Sequence, residues 1–232
     1  MFEVPRLKIR PGTGAYEKGR ARVVEILEAA LDILLDKGYR AISIRRIAEA
    51  CDITVGNVTY YYPTKDALVK DLLDSVLESY MDVFNHIQTA PLTAEEKFIE
   101  VVRLILQDIQ TKKTTHLFPE LWALSNHDPF VAERVDELYF KVRIILNELI
   151  PILNPRLNKE ERETVALFVS AALEGTTMFA GYKKPWGPRM PMIEGIAVKA
   201  LLECVKTITP EEIHRFQEAV TTDPRENANG RP

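Results

Sequence analysis

The sequence predicts an all-α fold: a small three-helix domain at the N-terminus, followed by a larger helical domain. Three observations predict it. Apolar residues recur at the 3.6-residue helical period from about residue 20 to residue 208. No segment shows sustained strand alternation. N-cap residues, glycines and prolines cut the periodic stretches apart. No internal repeat is visible.

Residues 1–19 read as a flexible basic arm. From Gly19 a first stripe runs through Val24, Leu27, Leu31, Leu34 and Leu35, and Lys37-Gly38 supplies a stop. Ser43 is a good N-cap for a second helix carrying Ile44, Ile47 and Ala48. Cys51-Asp52-Ile53 breaks the period, and Thr54 caps a third helix through Tyr62. Pro63 stops it. Thr64 caps a fourth, which uses Leu68, Leu72, Val76 and Leu77 and extends to about Ile87. The first domain is expected over 20–73 and the second over 74–220.

The next helix starts with Thr93 and Glu96, the spacing of a capping box, ahead of Phe98, Val101, Val102, Ile105 and Ile109. Leu117, Leu121 and Leu124 mark a shorter helix that ends near Pro129. Val131, Val135, Leu138, Val142, Ile145 and Leu149 form a long stripe, which Pro151 and Pro155 are expected to end. Residues 160–182 read as one helix. Residues 183–191 hold three prolines and Gly187 and read as a loop. A last strong helix covers 193–208, with one short helix after Pro210. Residues 221–232 are polar and are expected to be disordered.

Composition bounds the function. The chain of 232 residues is 46% hydrophobic and 28% charged, ordinary for a globular protein. It holds no run of about 18 uncharged apolar residues that would span a membrane, and residues 1–22 lack the apolar core of a secretory signal. Two distant cysteines, Cys51 and Cys204, supply neither a disulfide framework nor a metal cluster. His86, His116 and His127 share no helical spacing, so no metal site is expected. These points suggest a cytoplasmic protein without a cofactor. The net charge of −4 hides an asymmetry: residues 1–65 carry 11 basic and 8 acidic residues, whereas 66–232 carry 19 and 26. A basic head on an acidic body concentrates attraction for phosphate at one end. The chain contains no glycine-rich phosphate loop, HExxH, GxSxG or CxxC, so an enzyme is not expected.

Residues 43–62 carry the functional signal. Two short helices joined by a tight turn form a helix-turn-helix, whose second helix enters the DNA major groove. Ile44 and Ile47 are expected inside, Ala48 at the helix crossing, and Ile53 in the gap. Val58 and Tyr62 anchor the second helix, leaving Val55, Gly56, Asn57, Thr59 and Tyr60 facing outward. A solvated helix normally displays Lys and Glu; residues 54–62 contain neither.

Residues 20–73 resemble the DNA-binding domain of the TetR family of bacterial regulators. The resemblance rests on Gly38-Tyr39, Ser43, Ile47-Ala48, Ile53-Thr54, Gly56-Asn57, Tyr60-Tyr61-Tyr62 and Pro63-Thr64-Lys65 in that order. It covers about a quarter of the chain. It implies base contacts from Val55, Gly56, Asn57, Thr59 and Tyr60, phosphate contacts from Ser43, Thr54, Tyr61 and Lys65, and places Arg45 in the same DNA-contacting set. Thr59 replaces the usual first tyrosine, Tyr61 the usual histidine, and Asp52 the usual turn glycine.

The resemblance further implies a homodimer through 160–182 and 193–208. There Val165, Phe168, Val169, Ala172 and Leu173 form a stripe, and Ala166, Ala171 and Gly175 permit close approach. A two-fold dimer would place its reading helices roughly 34–36 Å apart, or a multiple of that, on a near-palindromic operator. It also implies a pocket for a lipophilic or aromatic effector that relieves repression. Its candidates are His116, Phe118, Trp122, Tyr139, Glu174, Met178 and Phe179. A second reading stays open: a helix-turn-helix protein under no small-molecule control.

Overall fold

The computed structural model describes residues 4, 5, 7, 8 and 17–221; the expected tail after Thr221 and most of the arm lie outside the described residues. The described residues form eleven α-helices and no strands. The head consists of α1 (Glu17–Lys37), α2 (Ile44–Ala50) and α3 (Val55–Tyr61), to which the start of α4 (Lys65–Thr89) adds. The body follows as α5 (Ala94–Ile109), α6 (Lys112–Ser125), α7 (Pro129–Leu153), α8 (Lys159–Glu174), α9 (Thr176–Ala180), α10 (Met190–Thr207) and α11 (Pro210–Thr221).

The helix starts follow the capping residues. Ser43 Oγ accepts the Arg46 N–H, Thr54 Oγ1 the Asn57 N–H, and Thr64 Oγ1 the Ala67 N–H. Thr93 and Glu96 close the reciprocal capping box. Each cap satisfies a donor that the helix itself leaves unpaired, worth about 1 kcal/mol. Gly38, at φ 79°, turns the chain out of α1 into a single 3-10 turn at Tyr39–Ala41.

Long α4 ties head to body. Leu68 and Leu72 are buried in the head, and Val76, Leu77, Tyr80, Val83, Phe84 and Ile87 lie in the body core. Part of the expected arm is packed: Val4 and Leu7 lie against the core, the Lys8 N–H donates to the Ser75 carbonyl, and Lys8 pairs with Asp82 at 2.5 Å.

Several expectations are corrected. Val24 is 38% exposed while Val23 is buried, because the first stripe is one residue out of phase at its start. Pro151 does not end α7, which continues to Leu153. A proline in the last turn removes a bond only there, and the Asn154 N–H still reaches the Ile150 carbonyl at 2.7 Å. The helix expected over 160–182 is interrupted at Gly175, where a poor helix former precedes two β-branched threonines. Within 183–191, Gly187–Arg189 forms a 3-10 turn and α10 already begins at Met190.

Candidate DNA interface and body cavity

The head presents α3 outward. Val58 is fully buried beneath it and Tyr62 is 5% exposed, its hydroxyl donating to Asp71 at 2.5 Å. Ile47 and Ala48 are buried on α2, and Ile44 and Ile53 pack partly against the same core. The tight turn between the helices depends on Asp52, whose φ of 51° lies in the left-handed region that Asp tolerates better than most residues. The Ile53 N–H closes the turn on the Ala48 carbonyl at 3.0 Å.

The outer surface is uncharged and partly apolar. Gly56 and Asn57 are exposed, Val55 is 47% exposed and Tyr60 is 80% exposed. Tyr60 and Tyr61 stack edge to face at 5.0 Å, so Tyr61, half-buried, props the exposed ring. Thr59 is half-buried and its hydroxyl donates to the Gly56 carbonyl at 3.2 Å, a bond within its own helix. Arg45 is exposed and pairs with Glu49 at 2.9 Å. The Lys65 ammonium sits 4.1 Å over the Tyr39 ring and donates to the Tyr39 carbonyl at 3.4 Å. An ammonium has three donors, so others are left to reach a phosphate. The hydroxyls of Ser43 and Thr54 accept in their caps and keep their hydrogens to donate.

The end of α1 is fastened to α6. The Tyr39 N–H donates to Glu120 Oε1 at 2.8 Å, His116 Nδ1 donates to the Leu35 carbonyl at 2.7 Å, and Lys112 pairs with Asp36. A Cβ at residue 38 would meet Glu120 Oε1 at 2.9 Å, so glycine there serves both the turn and this approach.

On its other side α6 lines a body cavity. The cavity is small, about 20 Å³, and lies between α4, α5, α6, α7 and the end of α8. Phe118, Tyr139 and Glu174 line it as candidates read from the sequence, and Trp122 joins through its Nε1–H, which donates to the Tyr139 hydroxyl at 2.8 Å. The other three candidates lie elsewhere. His116 is exposed at the junction with α1, and Met178 and Phe179 are 56% and 65% exposed on α9. The interruption at Gly175 accounts for the last two, since α9 does not extend the inward face of α8.

Sequence reasoning missed Tyr80, Asp108 and Thr114, which also line the cavity. Tyr80 donates to Asp108 Oδ2 at 2.5 Å, Thr114 donates to the same oxygen, and Lys113 approaches Oδ1 at 3.8 Å. The available signal was Asp108 itself, a carboxylate falling on the apolar stripe of α5 between Ile105 and Ile109. Burial and the Asp108 charge push the Tyr80 hydroxyl well above the usual tyrosine range. Glu174 is pushed up to about 7, first by burial and then by the Asp108 charge, while its hydrogen bond with Tyr139 works the other way. Its Oε2 is sealed from solvent with no hydrogen-bond partner.

Fold and site together define a helix-turn-helix DNA-binding protein with a helical body. Residues 26–72 match the family of bacterial regulatory proteins, tetR family. An uncharacterized HTH-type transcriptional regulator in the dhlA 5′ region of Xanthobacter autotrophicus is 22% identical over 209 residues, covering 88% of this chain and 89% of that protein. Among solved structures, Salmonella enterica GusR superposes with a TM-score of 0.66 at 16% identity, over 84% of this chain and 99% of that one. A transcriptional regulator from Saccharomonospora viridis in complex with choline does so with a TM-score of 0.63 at 16% identity, over 81% and 97%. The head matches the tetR family over residues 26–72, and the described chain shares the fold of the solved regulators.

Proposed function

We propose that the chain is a cytoplasmic homodimeric repressor that reads a near-palindromic operator through α3 and is released by a small-molecule effector bound in the body. The observation that carries the DNA-reading half is the surface of α3, where Val55, Gly56, Asn57 and Tyr60 stand exposed without a Lys or Glu among them. Such groups suit contact with base edges, while the surrounding caps and cations suit phosphates.

The dimer is supported by an apolar face that no described element covers. Leu167 and Phe168 on α8, and Met192 and Ile196 on α10, are each more than half exposed. Val165, Val169 and Leu173 take the opposite face of α8 into the core. The stripe expected for the interface therefore divides between the monomer core and the outer face. A groove of about 670 Å³ between α8, α10 and α11 opens beside Phe168 and would be seated against the second copy.

Effector control is supported by α6, which lines the cavity with Thr114 and Phe118 and holds the end of α1 with Lys112, His116 and Glu120. An effector that prefers one placement of α6 would shift the population of DNA-competent heads. The small volume of the cavity favours the second reading, regulation without a small molecule. Selection of bound DNA from a random-sequence pool, followed by sedimentation of the free protein, tests the proposal. A palindromic consensus and a dimer support it; a monomer, or no selected sequence, refutes it.

A further inference from the structure

This inference rests on the effector reading above and names the chemistry of the effector. We propose that the body cavity binds an organic cation, a protonated amine or quaternary ammonium on an apolar stem, with Glu174 as its counter-ion and the rings of Tyr80, Phe118 and Tyr139 around it. The cavity holds two carboxylates, and only one is answered. Asp108 receives the hydroxyls of Tyr80 and Thr114 and lies 3.8 Å from the Lys113 ammonium. Glu174 lines the cavity beside Tyr139, and its Oε2 is enclosed without a partner. A buried carboxylate oxygen left unpaired is costly, and a core built only for packing has no use for it.

The walls fit the same ligand. Phe118 lies centrally among aromatic neighbours, with ring centroids at 6.0 Å from Tyr80, 6.3 Å from Tyr139 and 6.5 Å from Trp122. Ring faces attract cations, most strongly where water is excluded. A neutral ligand of the same shape would bury apolar surface but leave Glu174 unanswered. An anion would add a third negative charge. At about 20 Å³ the cavity has room for a water molecule or so. A larger ligand is admitted by displacement at the end of α8, where Glu174 is the last residue and exposed Gly175 interrupts the helix.

The test uses the full chain and calorimetric titration with three probes of similar shape: phenethylammonium, 2-phenylethanol and phenylacetate. Benzyltrimethylammonium serves as a second cation. Each is also titrated into the protein bound to its selected DNA. The expected result is at least tenfold tighter binding of the cations than of the alcohol or the acid. Glu174→Gln should remove that preference and leave the alcohol unchanged, with circular dichroism confirming the fold. Equal or tighter binding of the alcohol or the acid overturns the proposal. So does failure of both cations to bind, or cation binding indifferent to Glu174→Gln. Cation binding that leaves DNA affinity unchanged refutes effector control instead, and leaves the cation site standing.

Discussion

Glu174→Gln is predicted to stabilise the protein at alkaline pH and to do so less at acid pH. In the folded chain Glu174 keeps its proton up to about pH 7, whereas an exposed glutamate releases it near 4.5. Below pH 4.5 both states hold the proton and the site costs nothing. As pH rises from 4.5 to 7 the unfolded chain loses the proton first, so stability falls; above 7 the loss is complete. A gap of about 2.5 units at 1.36 kcal/mol each corresponds to about 3 kcal/mol of stability lost. Glutamine is uncharged at every pH and removes this loss. Urea unfolding at pH 5 and pH 8, at one protein concentration because a dimer's stability depends on it, reads the effect. The advantage of the variant over the wild type should grow by about 2.5 kcal/mol between the two pH values. Other titrating groups largely cancel in that difference. An advantage constant within about 0.5 kcal/mol would refute the claim that Glu174 is held in an environment hostile to its charge.

Other outcomes follow from the same structure. Glu120→Ala should destabilise the head by about 1–2 kcal/mol, discounted for partial exposure, and speed hydrogen exchange at the Tyr39 amide about tenfold, while Glu120→Gln retains an acceptor and much of the protection. Unchanged exchange in Glu120→Ala would show that the link from α1 to α6 carries no load. Asp52→Val should cost about 1–2 kcal/mol in thermal unfolding because of the left-handed backbone, with Asp52→Gly near neutral; equal stability of all three would deny that conformation. Ile196→Asp on the exposed face of α10 should turn a sedimenting dimer into a monomer without loss of helicity, and a dimer that persists would move the interface elsewhere.

What was legible in the sequence was local. Ser43, Thr54, Thr64 and the Thr93–Glu96 pair announce helix starts because a cap acts within four residues of itself. The outward set on α3 followed from the anchoring spacing of Val58 and Tyr62. Two adjacent valines, Val23 and Val24, could not be phased by periodicity alone. The cavity was less legible, since it joins residues from five helices and its polar partners meet only in three dimensions. Asp108 stood on an apolar stripe, but nothing local pairs it with Tyr80, 28 residues away. Met178 and Phe179 were misplaced because a single glycine at 175 interrupts the helix and the outward face follows.

The central claim, that α3 reads DNA bases while its surroundings grip phosphates, is tested most directly by salt-titrated binding of Tyr60→Ala and Lys65→Ala to selected and random DNA. Tyr60→Ala should lose preference for the selected sequence with an unchanged salt slope. Lys65→Ala should weaken binding to both DNAs alike and reduce the slope by about one. If Tyr60→Ala keeps full sequence preference in a folded dimer, the exposed face of α3 is not the reading surface.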